Sequence, residues 1–169
     1  MNDAWRIASD NFRIDDGSLP SIDFAGLTPA SVRAIFEFFR ENGECVTESP
    51  TLWDSDIEAD VPLMPIVDPC ALIQQGRTDS FHCCFGSIRI DSVELPVIGT
   101  FVFRNSVGLD YRMGSQWNSR NVDAFFKLIA HLKTLAPEST IKSTPSEGLV
   151  NERSFLQALN TYTDEGITK

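Results

Sequence analysis

At 169 residues the chain has the length of one ordinary domain, and 42 % hydrophobic residues with twelve phenylalanines exclude a disordered segment. A formal charge of −10 excludes DNA or RNA as the default partner, because phosphate contacts need clustered Lys and Arg. No stretch approaches the roughly 20 apolar residues of a membrane span, and "MNDAWRIASDNFRIDDG" lacks the basic start and apolar run of a secretory leader.

Residues 1–26 offer two short extended pieces, "AWRIA" and "NFRID", around the turn-like Ser9-Asp10-Asn11, which predicts a hairpin. A helix follows in "LTPASVRAIFEFFRENG". Thr28 can accept from the first-turn N–H groups, Pro29 suits the first helical position, and Gly43 supplies a left-handed stop. Val32, Ile35, Phe36 and Phe39 recur at helical spacing and form its buried stripe.

Residues 44–79 read as a long acidic loop, broken by Pro50, Pro62, Pro65 and Pro69, with "DPCALIQQG" as a single helical turn. From Glu41 to Gly76 there is no Lys or Arg but eight carboxylates, so this segment carries −8 of the −10. Localised charge of this kind steers a basic partner. Within it, "WDSDIEADV" places Asp54, Asp56, Glu58 and Asp60 at every second position behind Trp53. In an extended chain all four would share one face, about 6.7 Å apart, repelling by about 0.6 kcal/mol per neighbour in water. That row is tolerable only when exposed. As a calcium loop it fails, because Ala59 stands where the turn needs Gly and Pro65 where a bidentate Glu is needed. The carboxylates would also fan out along the strand instead of converging on one ion. An aromatic anchor beside solvated acids instead suits contact with a protein, through Trp53, Asp54, Asp56, Glu58 and Asp60.

A strand meander comes next: "SFHCCFGSIRI", "LPVIGTFVFRN" and "VGLDYRMG", joined near Asp91-Ser92 and Asn105-Ser106. In "FHCCF", Phe81, Cys83 and Phe85 share one face and His82 and Cys84 the other, so the two cysteines cannot easily ligate one ion. Core packing accounts for Cys83. With Cys45 and Cys70 the four cysteines are few and irregularly spaced, which predicts free thiols in a cytoplasmic protein. On the third strand Val107, Leu109, Tyr111 and Met113 face one side, while Asp110 and Arg112 face the other as a surface ion pair. "GSQWN" turns into the strongest helix, "NSRNVDAFFKLIAHLKTLAP", capped by Asn118 or Ser119, with Trp117 as a packing wedge. Its apolar face is Val122, Phe125, Phe126, Ile129 and Leu132, and His131 lies about 140° away, exposed. A shorter helix, "NERSFLQALNTY", follows with Phe155, Leu156, Leu159 and Tyr162.

The whole predicts a single α+β domain over residues 1–169, an antiparallel meander with amphipathic helices on one face. No phosphate loop, G-x-S-x-G, H-E-x-x-H or dinucleotide fingerprint is present, and no metal or cofactor is expected. The strand ending "GLDYRMGSQWN" and the amphipathic helix it enters, roughly residues 80–136, resemble cytoplasmic immunity proteins of bacterial toxin systems. The resemblance implies a non-enzymatic inhibitor that neutralises a cognate toxin by covering it, and it assigns no residues. A basic toxin such as a nuclease would suit an acidic cover. The alternative is a small enzyme or ligand-binding domain with a pocket near Tyr111, Arg112 and Trp117.

Overall fold

The computed structural model describes residues 3–143 and 148–163. The chain opens with a helix, α1 (Asp3–Ala8), and a single 3-10 turn over Ser9–Asn11. The predicted N-terminal hairpin is therefore wrong. Ala4 and Ala8, four apart, are buried on one helical face, and a local alternation of side chains could not reveal that tertiary contact. The first strand is β1 (Ser21–Ala25), in which Ile22 and Phe24 point into the core.

Helix α2 (Pro29–Asn42) starts as expected: the Thr28 hydroxyl accepts from the Ser31 amide and Pro29 takes the first turn. Gly43 ends it in an extended conformation, φ −131°, not the left-handed one. Its missing Cβ is needed for another reason, because a Cβ there would lie 2.9 Å from Ile88 Cγ1. The predicted loop at 44–79 contains regular structure: β2 (Glu44–Cys45), a hairpin of β3 (Thr51–Asp54) and β4 (Ala59–Pro62), and helix α3 (Pro69–Gln74). Asp68 caps α3 through the Ala71 amide.

β5 (Phe81–Gly86) ends at Ser87, whose φ of 59° breaks the predicted long strand. A small hairpin follows, β6 (Arg89–Ile90) and β7 (Val93–Glu94), turning at Asp91-Ser92 with both residues at positive φ. β8 (Ile98–Val102) and β9 (Ser106–Tyr111) complete the meander. Helix α4 (Ser119–Leu135) is capped by Asn118, and β10 (Thr140–Ser143) and α5 (Glu152–Thr163) close the described chain.

The main sheet runs β10-β1-β9-β8-β5-β2 with every neighbouring pair antiparallel. One face is apolar and meets the helices. Phe36 and Phe39 of α2 pack against Phe81 and Phe85 of β5, with ring centroids 4.9 and 5.8 Å apart. Phe125 of α4 meets Tyr111 of β9 at 5.3 Å, and α1, α4 and α5 pack on one another. Phe12 sits at the centre of this second cluster, against Tyr111, Trp117 and Phe155. Burying each such ring contributes roughly 2–3 kcal/mol. The chain is thus an α+β fold with helices on one side of an antiparallel sheet. Among the described residues no helix is long and apolar enough to cross a membrane.

Candidate functional site

The acidic stretch is not one strand. It folds back at residues 55–58, so that Trp53 pairs with Asp60 and Asp54 with Ala59. Reversal at an even turn puts Asp54 and Asp60 on opposite faces of the hairpin, which corrects the expectation of four acids in a row. The turn is built from the acids themselves: Asp54 Oδ1 accepts from the Asp56 amide at 3.0 Å, and Glu58 takes a left-handed φ of 52°.

Asp54 is only 4 % exposed, and Arg77, the first cation after the acidic segment, compensates it. Arg77 Nε donates to Asp54 Oδ1 at 3.2 Å and Nη2 to Oδ2 at 2.5 Å, the forked geometry that makes such pairs strong. Nε also lies 3.0 Å from Asp56 Oδ2, and the Ser55 amide donates to the Arg77 carbonyl at 2.8 Å. Hydrogen bonding to Arg77 holds the Asp54 carboxyl below the usual carboxylate range, ahead of the opposing effect of burial. The pair anchors the hairpin. Its outer side then presents Trp53, 53 % exposed, with Ile57, Asp56, Glu58 and Asp60 around it.

The "FHCCF" strand behaves as its alternation predicts. Phe81, Cys83 and Phe85 are buried, and His82 and Cys84 face the other way. Burial pushes the Cys83 thiol up to about 12 and raises Cys84 as well, so neither favours the thiolate a nucleophile needs. His82 has a partner the sequence did not suggest: its Nε2–H donates to Asp110 Oδ2 at 2.8 Å across β8. The expected Asp110–Arg112 ion pair is accordingly absent, and Arg112 donates instead to Asp15 Oδ2 at 2.8 Å. The signal for the Asp110 reach was Gly99, a glycine inside a strand, which marks close approach of another group.

The pocket proposed near Tyr111, Arg112 and Trp117 is filled. Tyr111 and Trp117 are buried and touch each other, Phe12 and Phe125 at ring-centroid distances of 4.9–5.3 Å. The Tyr111 hydroxyl donates to the Asn11 carbonyl, and the Trp117 indole N–H donates to the Arg112 carbonyl. This region is core. His131 is exposed, as its helical position predicted, with its ring 5.2 Å from Phe38.

No family model matches the chain, and no curated protein matches it. Among solved structures it is similar to a chain in the crystal structure of the toxic C-terminal tip of CdiA from Pseudomonas aeruginosa in complex with immune protein. The match has 15 % sequence identity and a TM-score of 0.51, and it covers 80 % of this chain and 88 % of the other. At that identity the likeness is one of fold.

Proposed function

We propose that this chain is a non-enzymatic binding protein of the immunity type, a bacterial cytoplasmic inhibitor that neutralises a toxin by direct contact. The observation that carries the reading is the fold shared, over most of both chains, with a component of a toxin–immune protein complex. The exposed end of the β3–β4 hairpin supports it. Trp53 offers a large, rigid contact, and Asp56, Glu58 and Asp60 attract a basic partner such as a nuclease. Asp54 acts through Arg77, holding the hairpin in place. The filled region around Tyr111 and Trp117 removes the pocket on which the enzyme alternative rested.

The test is affinity capture from the native bacterial host, followed by production of the captured protein on its own. That protein should arrest growth, and co-production of this chain should relieve the arrest. Trp53→Ala combined with Asp56→Asn, Glu58→Gln and Asp60→Asn should weaken binding at least ten-fold, about 1.4 kcal/mol. Unchanged binding would remove the hairpin from the interface. Growth arrest by this chain alone would place it on the toxin side of such a pair.

A further inference from the structure

The face of the main sheet turned away from the helices has its own chemistry. Gly99 of β8 pairs with Asp110 of β9 on one side and Cys84 of β5 on the other. A Cβ at Gly99 would overlap the Asp110 carboxyl group, so that side chain lies flat across β8 on its way to His82. One row along, Gly108 pairs with Asp23 of β1, and a Cβ at Gly108 would come within 2.9 Å of Asp23 Oδ1. Two glycines thus floor a shallow trough in which two carboxylates recline. The Asp23 carboxylate makes no hydrogen bond or ion pair among the described residues, although Lys142 is its register neighbour on β10.

Beside the trough stand Phe101 and Phe103, 37 % and 39 % exposed, with rings stacked at 4.6 Å. The His82 ring lies 5.4 Å from Phe101. Exposed aromatic faces next to carboxylates are the surroundings a guanidinium takes, stacking on the ring while its fork meets the acid.

We propose that this open sheet face is a docking surface for an arginine-rich segment of a protein partner, received by Asp23, Asp110, Phe101 and Phe103. It rests on the reading that the chain binds a basic protein, and it adds a contact distinct from the hairpin. Charge selects this occupant over a second copy of the chain. Self-association would set Asp23 and Asp110 against their own counterparts on molecules of charge −10 each.

An octa-arginine peptide, titrated at low salt and followed by amide NMR shifts, tests this without the natural partner. The shifts should centre on Gly99 and Gly108. Asp23→Asn with Asp110→Asn should weaken peptide binding at least five-fold, whereas the charge-matched pair Asp3→Asn with Asp10→Asn, exposed in the N-terminal helical segment, should change it less than two-fold. Phe101→Ser with Phe103→Ser, at exposed positions, should also weaken it five-fold and keeps the test readable if the aspartate variant is poorly folded. Equal weakening by both aspartate pairs, or no effect of the phenylalanine pair, would mean the peptide reads net charge alone and would overturn the proposal. Light scattering that found a dimer made monomeric by Phe101→Ser and Phe103→Ser would overturn it in favour of a second copy. The growth assay is independent of this one, so the two readings fail separately.

Discussion

Carboxylates held by donors shape how single residues respond to acid. Hydrogen bonds from Arg77 lower Asp54, the Arg112 side chain lowers Asp15, and Ser31 with neighbouring amides lowers Glu138 to about 2. A carboxylate depressed in the folded state adds stability that is fully present above its unfolded value near 4. That stability disappears as the pH falls through the folded values. The melting temperature should therefore hold from pH 5 upward and decline between about pH 4.5 and 2. Glu138→Gln should flatten the lower part of that decline, as thermal scans across a pH series would show. A decline that began above pH 6 would point to other groups.

At the scale of elements, the Phe12 cluster joins the N-terminal turn, β9, α4 and α5 through one ring. Phe12→Ala should cost about 3–5 kcal/mol, measurable by urea unfolding, because the surrounding rings cannot collapse into the space. A loss below about 1 kcal/mol would show the cluster to be loosely packed. Phe12 falls in a stretch, "NFRID", whose alternation predicts a strand but which forms none. Helices α2 and α4 were legible, since their stripes and their caps at Thr28 and Asn118 agree with each other. β9 was legible through its three inward apolar side chains, Val107, Leu109 and Tyr111, all buried. The hairpin was not, because strands of four residues leave too little alternation to show a reversal. Its turn also uses Glu58 at a positive φ that glycine would have announced. The open sheet face left a trace only in Gly99 and Gly108, whose role depends on side chains from neighbouring strands.

For the whole molecule, the proposed reading gives charge a larger part in encounter than in grip. Six of the acids from the segment 41–76 (Glu41, Glu44, Glu48, Asp56, Glu58 and Asp60) are exposed, while Asp54 and Asp68 are tied to Arg77 and Arg33. Association with a basic partner should slow roughly ten-fold between 50 and 500 mM salt, with dissociation little changed, as stopped-flow mixing would record. A salt-independent association rate would leave the acidic surface without a role in encounter.

The order of the main sheet has a consequence in time as well as in space. β1 lies between β9 and β10, so a strand made early must wait for two made late. Asn11 adds a second stitch: its side chain donates to the Asn151 carbonyl and accepts from the Asn151 amide, 140 positions away along the chain. Contacts of such long sequence separation form slowly and cannot form during most of synthesis. Closure of the sheet around β1 therefore comes late, whereas α2 can meet β5 as soon as residues 81–85 have been made.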